Sequence, residues 1–301
     1  MTIDVSSLLR AAADAAGAQQ YPAGALYVVA TPIGNLADLS LRAVHVLALV
    51  EAVACEDTRH SAPLLRHLGL EKPLLAVHQH NERDAAPAVL ARLARGERVA
   101  YVSDAGTPAL SDPGAALVAA VREAGFRVLP IPGASAALAA LSVAGDVHAA
   151  AFRFSGFLPA KAGERAQALA ALLAHADAQV LFEAPHRIES LCQALAAACP
   201  ARTVTLCREL TKQFETVVAL PAAELPGWLA ADANRRRGEF VLVLHAPPAV
   251  EAVPNDHDAT LRPLLAALPL KQAVALAVQL TGAPRNALYE RALALKASAA
   301  P

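Results

Sequence analysis

The chain has 301 residues, enough for one large domain or two ordinary domains with well-buried cores. Hydrophobic residues make up 55% of it and aromatic residues only 4%, and the abundance of alanine favours helices packed closely on a sheet over an aromatic-rich interaction surface. The formal net charge of -1 argues against a protein that coats nucleic acid non-specifically, so any contact with nucleic acid must come from local basic clusters.

The first twenty residues are alanine-rich and are predicted to be a frayed leader. From Tyr21 onward, apolar strands alternate with helical stretches, which predicts βαβ units and a parallel sheet covered by helices on both faces. The predicted strands are Leu26–Ala30, Ala52–Cys55, Leu74–Val77, Val99–Ser103 and Val128–Ile131. The predicted helices are Leu39–Val50, Ser61–Leu68, Ala85–Ala94, Ala115–Ala124 and Ser135–Ala144. Active sites of such sheets lie at the carboxyl ends of the strands.

After Gly145 the pattern changes and predicts a second domain with a mixed sheet. Its strands are joined by fewer helices, notably His186–Ala198, and the segment Leu210–Glu215 predicts a hairpin. The predicted strands are Phe152–Phe157, Val180–Phe182, Val204–Arg208, Thr216–Leu220 and Phe240–Leu244. The fold class is therefore α/β, with a doubly wound parallel N-terminal sheet and a mixed second sheet.

A proline-rich stretch, Ala246–Asp258, predicts a linker to a short all-helical module. The helices of this module are predicted at Leu261–Leu268, Lys271–Leu280 and Arg285–Leu295, with a turn at Thr281 and Gly282. The predicted domains are residues 22–146, 147–247 and 258–301.

The cysteines and the N-terminal segment predict a reduced, cytoplasmic protein without a signal peptide or a membrane span. Asp4 and Asp14 stand where a signal peptide has a basic region, and the apolar run 128–145 is broken by prolines and a glycine. The cysteines form no C-x-x-C pair and are interpreted as small core residues. They are Cys55, Cys192, Cys199 and Cys207.

The first strand runs into "ATPIGNLADLS", residues 30–40, a position where nucleotide-binding folds place a phosphate loop. This turn has one glycine and no lysine, and the G-x-G-x-x-G and G-x-x-x-x-G-K-[ST] fingerprints are absent from the chain. Taken alone, it is a plain strand-to-helix turn in which Asp38 or Ser40 caps the helix.

Two further strand-end loops strengthen the case for a binding site. "VSDAGTPALSDPG", residues 102–114, is longer than a tight connection requires, and its small residues let the backbone approach a ligand. Asp104 can accept a hydrogen bond there, whereas the plainer interpretation makes Ser111 or Asp112 a helix cap. In "PIPGASAALAALSVAG", Ser135 is either an N-cap or a ligand contact at a helix N-terminus. Three such loops in one sheet predict a pocket.

These loops resemble the tetrapyrrole methylase superfamily and, more narrowly, its ribosomal small-subunit 2′-O-ribose methyltransferase I family. The resemblance runs from about Leu26 to Leu295. It rests on "TPIGNLADLSLRA", "CEDTRHSAPLL", "HNE", "SDAGTPALSDPG", "PGASA", "GFLPAK", "FEAPHRI", "RELTK", "NRRRGEFVLVL" and the C-terminal "LPLKQAVALAVQLTGAPRNALYERAL". Porphyrin-type relatives use a G-x-G-P-G-D first turn, which this chain lacks.

The resemblance implies a cytoplasmic S-adenosylmethionine-dependent methyltransferase, homodimeric and metal-free, with its cofactor cleft between two α/β domains. Its substrate is a cytidine ribose 2′-hydroxyl of small-subunit (16S) ribosomal RNA. The residues implied to bind the cofactor are Thr31, Pro32, Ile33, Ser103, Asp104, Ala105, Gly106, Thr107, Ser135 and Phe182. Phe182 either stacks on adenine or is a core aromatic of a buried strand.

A ribose hydroxyl needs a base near the sulfonium, and "CEDTRH" places polar residues after the second strand. The catalytic candidates are Glu56, Asp57 and Arg59, and only one of the two adjacent carboxylates is expected to face the cleft. The alternative is an ion-paired helix cap. "HQHNE", residues 78–82, is interpreted as a substrate contact, because the chain offers no third metal ligand at suitable spacing.

Basic residues in the second domain are candidates for phosphate contacts, although each alone is more often a solvated charge. The candidates are Lys161, Arg165, Arg187, Arg208, Lys212, Arg235, Arg236 and Arg237, together with Arg285 in the C-terminal helices. Those helices resemble a helix-turn-helix, with a plain three-helix cap as the alternative. Two other functions stay open: a tetrapyrrole (precorrin-type) C-methyltransferase, and a non-catalytic RNA-binding assembly factor.

Overall fold

The computed structural model describes residues 4–248 and 257–298, and the chain divides after Ala246 into two compact units. The first unit contains two five-stranded sheets. The first sheet is parallel, with strand order β3-β2-β4-β1-β5. Its strands are β1 (Ala25–Val29), β2 (Ala52–Cys55), β3 (Leu74–Ala76), β4 (Val99–Val102) and β5 (Arg127–Ile131).

Helices cover both faces of this sheet, as the alternating pattern predicted. Tyr27 packs in one core cluster and its neighbour Leu26 in another, because successive side chains of a strand point to opposite faces. Ser40 caps α2 by accepting a hydrogen bond from the Ala43 N–H at 3.1 Å, which is one of the two caps predicted. The helices are α2 (Leu41–Leu49), α3 (Thr58–His67), α4 (Glu82–Ala94), α5 (Ala115–Glu123) and α6 (Ala136–Ala144).

The prediction of a frayed leader is wrong, because Val5–Ala16 forms helix α1. Asp4 caps its N-terminus through the backbone N–H groups of Ser6 and Ser7, at 3.3 Å each. Ala12 and Ala16 are buried, and α1 packs on α2. A short alanine-rich helix is marginal by itself, so this contact, which composition alone does not reveal, stabilises it.

The second sheet is mixed and has the strand order β6-β7-β10-β8-β9. Only β6 and β7 are parallel; the other pairs are antiparallel, including the predicted β8–β9 hairpin. Its strands are β6 (Phe152–Phe157), β7 (Ala178–Glu183), β8 (Thr203–Arg208), β9 (Thr216–Pro221) and β10 (Phe240–Leu244). Besides α8 (Ile188–Ala198), the structure adds α7 (Ala162–Leu173) and α9 (Leu225–Ala230), which the sequence pattern did not indicate.

The second unit is a three-helix module of α10 (Asp258–Ala267), α11 (Leu270–Thr281) and α12 (Arg285–Ser298). Gly282 ends α11 with a left-handed φ of 68°, which confirms the predicted turn. Buried Asp258 forms an ion pair with Arg291 at 2.7 Å. Among the helices of residues 4–248 and 257–298, none combines the length and the apolar character that a membrane span requires. The domain boundaries 22–146, 147–247 and 258–301 stay a prediction.

Candidate functional site

A pocket of about 320 Å³ lies between the carboxyl end of the parallel sheet and the mixed sheet. One wall consists of small residues from the three strand-end loops, and the other carries aromatic and charged side chains. The lining residues are Ile33, Ala105, Gly106, Thr107, Leu110, Ser111, Asp112, Ser135, Ala136, Ala137, Phe154, Phe157, Phe182, Glu183, Ala184, Pro185, Leu210, Lys212, Glu239, Phe240 and Val241.

The first two loops are hydrogen-bonded to each other. The Thr31 N–H donates to the Gly106 carbonyl at 2.9 Å, and the Gly106 N–H donates to the Thr31 carbonyl at 3.0 Å. The Thr31 hydroxyl also donates to the Ser103 carbonyl at 3.3 Å. Gly106 has a φ of 81°, and a Cβ there would lie 3.3 Å from Cγ2 of Ile33. The positive φ therefore favours glycine, and a larger side chain would also press on Ile33.

The third loop is joined to the second by the Thr107 hydroxyl, which donates to the Ala134 carbonyl at 3.0 Å. Ser135 occupies the N-cap position of α6, yet its side chain makes no capping bond with the described residues. The first N–H groups of a helix also lack partners within the helix. A hydroxyl and backbone donors at this helix N-terminus therefore face the pocket, where a carboxylate group can bind.

The predicted cofactor residues divide into two groups in the structure. Those that line the pocket are Ile33, Ala105, Gly106, Thr107, Ser135 and Phe182. Thr31 and Ser103 are buried behind the loops, Pro32 is half-buried, and Asp104 is exposed. The Asp104 carboxylate lies 2.6 Å from Nδ1 of His60. This ion pair raises the pKa of His60.

Asp57 and Arg59 form the ion-paired helix cap that the sequence left as an alternative. The Asp57 carboxylate accepts from the Arg59 backbone N–H at 2.8 Å and pairs with the Arg59 guanidinium at 2.5 Å. These bonds lower the pKa of Asp57 to about 2. A carboxylate with so low a pKa is a weak proton acceptor.

Glu56 is half-buried, and its pKa is raised by burial and then by the nearby charges of Asp112 and Asp104. Asp112 lines the pocket, and burial raises its pKa too, although a hydrogen bond from Ser103 partly offsets the effect. The predicted cap of α5 by Ser111 or Asp112 is wrong, because Gly114 occupies its N-cap position. The α5 N–H groups of Ala116 and Leu117 donate instead to Oε2 of Glu82, at 3.0 and 3.3 Å.

On the opposite wall, Phe182 is in edge contact with Phe154 and Phe157, with ring centroids 5.0 and 5.7 Å apart. Below them, the β8–β9 turn contains Glu209 and Thr211 with positive φ values of 52° and 66°. Outside glycine, such conformations are uncommon and mark a turn held by its surroundings.

Lys212 spans this turn and the first loop. Its ammonium pairs with Glu209 at 2.9 Å and with Glu239 at 2.8 Å, while its aliphatic stem fills the space where Gly34 has no side chain. The predicted phosphate contact is therefore already paired with two carboxylates.

Most other predicted basic residues also contact protein groups. Lys161 pairs with Glu164, Arg165 donates to Ser190, Arg187 pairs with buried Glu183, and Arg208 donates to the Phe214 carbonyl. Arg235 lies 4.5 Å above the Trp228 ring, and Arg236 pairs with Glu189 at 3.1 Å. Arg237 is exposed, without a side-chain partner in the described part of the chain. Arg285 is exposed at the start of α12.

Several residues of this pocket were not predicted from the sequence. Asp112 was considered only as a cap, and Phe154, Phe157 and Glu239 were not singled out. Signals for two of them existed, since Phe157 stands in "GFLPAK" and Asp112 stands near the end of the long second loop. Within residues 4–248 and 257–298, no three His, Cys, Asp or Glu side chains are placed to hold a metal ion.

Residues 25–226 match the model of the tetrapyrrole (corrin/porphyrin) methylases, and residues 251–296 match the RsmI C-terminal HTH domain. The Pseudomonas aeruginosa protein named ribosomal RNA small subunit methyltransferase I is 49% identical, over 90% of this chain and 97% of the relative. Its Neisseria meningitidis serogroup B namesake is 48% identical, over 91% and 94%. The chain belongs to the tetrapyrrole methylase family, and within it to the ribosomal RNA small subunit methyltransferase I family. It is therefore an S-adenosylmethionine-dependent methyltransferase.

Solved structures agree with this family at the level of the fold. The methyltransferase CobJ superposes with a TM-score of 0.56 at 20% identity, over 73% of this chain and 93% of that one. Diphthine synthase gives a TM-score of 0.56 at 14% identity, over 73% and 90%. A tetrapyrrole methylase fold is thus shared by proteins whose named functions differ, so the fold does not fix the substrate.

Proposed function

We propose that this protein transfers the methyl group of S-adenosylmethionine to the ribose 2′-hydroxyl of a cytidine in small-subunit ribosomal RNA. The observation that carries the proposal is identity of 48–49% over about nine-tenths of the chain to relatives named for small-subunit rRNA methylation. The match of residues 251–296 to the C-terminal domain of the same family supports it, because the tetrapyrrole methylase match ends at residue 226.

The pocket suits the cofactor by size and by chemistry. When bound, S-adenosylmethionine supplies a methyl group on a positively charged sulfur, ready for displacement. The backbone around Gly106 allows close approach, the α6 N-terminus with Ser135 offers donors for a carboxylate, and Phe182 offers an aromatic surface. Thr31 and Ser103 support the loops from behind through hydrogen bonds, and we propose that they hold the loop backbone in place for the cofactor.

The chain's main task is to hold the acceptor hydroxyl at the cofactor, since positioning can supply roughly 7–11 kcal/mol of the barrier. The hydroxyl proton must also be accepted. Among the three proposed catalytic residues, Glu56 has a raised pKa. Asp57 and Arg59 are paired with each other. Asp112, which lines the pocket and has a raised pKa, is the stronger proton acceptor on geometry.

The test is methylation of isolated small ribosomal subunits from a strain that lacks the enzyme, with radiolabelled S-adenosylmethionine and mapping of the labelled nucleotide. Incorporation at one cytidine 2′-oxygen is expected. In a parallel assay with a precorrin as acceptor, label in the precorrin instead indicates the tetrapyrrole alternative. Binding to the subunits without incorporation of label indicates an assembly factor. Calorimetry before and after chelator treatment tests whether the cofactor binds without a metal. Loss of binding after chelation would contradict this.

We further propose a cytoplasmic homodimer in which phosphate contacts come from the basic residues named above, of which Lys161, Arg237 and Arg285 are exposed. Lys161, Arg165, Arg187, Lys212, Arg235 and Arg236 can contact phosphates only by sharing or exchanging their present partners. Sedimentation of the purified protein tests the dimer.

A further inference from the structure

The edge strand β6 carries an irregularity beside the pocket. Phe154 pairs with Val180, but Gly156 pairs with Leu181 and Phe157 with Phe182, so one extra residue is accommodated between Phe154 and Gly156. Gly156 has a left-handed φ of 60°, and a Cβ there would lie 3.1 Å from Oγ of Ser111. This is a β-bulge, a feature that re-aims side chains and is common next to active sites.

The bulge decides which face of the sheet Phe157 occupies. In a regular strand, residues three apart point to opposite faces, so Phe154 facing the pocket would direct Phe157 into the opposite core around Leu181 and Ile188. With the extra residue, both rings lie on the pocket face and both contact Phe182. Because of the bulge, the Phe157 ring is not buried in the opposite core but lies at the pocket.

Phe157 is 55% exposed at the pocket, and so is Leu110 of the second loop. Phe182 is more buried, with the edges of Phe154 and Phe157 against it. The outer ring therefore has an uncovered surface at a site that, by the proposed function, receives a nucleotide. Aromatic side chains bind unpaired bases by stacking.

We propose that Phe157 stacks on the base of the acceptor nucleotide and so positions its ribose at the cofactor. The inference rests on the proposed function, because it requires an RNA acceptor. Enzymes that modify a nucleotide inside a structured nucleic acid commonly take its base out of the stack and hold it against aromatic side chains. A stacking surface binds any base, so choice of the site must come from other contacts.

The test compares Phe157→Ala, Phe157→Leu and Phe157→Tyr with the control Phe152→Ala. Phe152 is on the same strand, is 49% exposed, and is not among the residues that line the pocket. Initial rates on isolated small subunits, S-adenosylmethionine affinity by calorimetry and sedimentation are measured for each variant. Phe157→Ala is expected to lower kcat/KM for subunits roughly 5- to 150-fold, the worth of one stacked base.

Phe157→Leu should be impaired like Ala, and Phe157→Tyr should retain most activity, because stacking needs an aromatic face. Cofactor affinity should stay within about twofold of wild type in every variant. Unchanged kcat/KM in Phe157→Ala, an equal loss in Phe152→Ala, weakened cofactor binding or a changed oligomeric state each overturn the proposal. If wild-type protein methylates no RNA, the proposed function itself fails, and the stacking role fails with it.

Discussion

The two walls of the pocket use different chemistry. The wall from the parallel sheet consists of small residues and hydrogen-bonded loops, and the pKa values of Glu56 and Asp112 there are raised by burial and by neighbouring carboxylates. The wall from the mixed sheet consists of aromatic rings and charges already paired with protein groups. The first wall suits close backbone contact with a small cofactor and proton acceptance, whereas the second offers Phe182 to the cofactor and the exposed ring of Phe157 to a larger acceptor.

Replacing Asp112 with Asn should lower kcat on subunits by about 10²–10⁴-fold if Asp112 accepts the hydroxyl proton. Burial raises the pKa of Asp112, so the folded state disfavours its charge above that raised pKa, and the penalty is relieved as pH falls through it. Asn carries no charge, so the melting temperature at neutral pH should be equal or higher.

Glu56→Gln is the matched variant, because the pKa of Glu56 is raised as well. A large kcat loss in Glu56→Gln with little effect in Asp112→Asn assigns the base to Glu56. Melting curves and initial rates, both measured against pH, separate the two.

Gly106→Val should weaken S-adenosylmethionine binding at least about tenfold, because the side chain crowds Ile33 and opposes a positive φ. The control is Gly125→Val, which meets the same backbone penalty at a φ of 83° with nothing within 4 Å of its Cβ. Calorimetry should show lost affinity only for Gly106→Val. Equal affinities in the two variants place the cofactor elsewhere.

Arg237→Ala should shallow the slope of log K against log salt for RNA binding by about 0.7, the contribution of one phosphate contact to a single strand. Replacing Arg235, Arg236 and Arg237 together shifts the slope by about 2 only if all three leave their protein contacts for phosphates. Arg235 over Trp228 and Arg236 beside Glu189 predict that most of the change comes from Arg237. An unchanged slope in the triple variant would indicate that the phosphate contacts come from the C-terminal helices instead.

The smallest expected effect concerns His60. Its carboxylate partner Asp104 raises the His60 pKa above the usual value of about 6.5. The pair therefore stabilises the fold below the unfolded-state pKa, and this contribution is lost as pH rises through the folded-state pKa. NMR titration should find the His60 pKa lowered in Asp104→Asn. An unchanged pKa contradicts the pairing in solution.

Many helices and strands could be predicted from the sequence because they depend on short local patterns of residues. Strands β2, β6 and β10 were predicted with their observed bounds, since each is a short run bounded by turn residues. Helix α1 was missed because its alanine-rich composition outweighed the helical spacing of Leu8, Leu9, Ala12 and Ala16, and packing on α2 stabilises it. For the site, the loop motifs led to Ile33, Gly106 and Ser135. They left open whether Asp57 is a base or an ion-paired helix cap, and the structure pairs it with Arg59.

By itself, the sequence determined the order of strands and helices, the strand-end loops and the family, because these depend on periodicity, turn residues and motifs along the chain. Which groups share the pocket depends on how distant parts of the chain pack. Asp112 and Phe157 lie 45 residues apart in the chain numbering and meet there because a sheet edge and a loop from different halves pack together. The bulge at Gly156 turned one ring toward the pocket, since a single extra residue reverses the face of every side chain that follows.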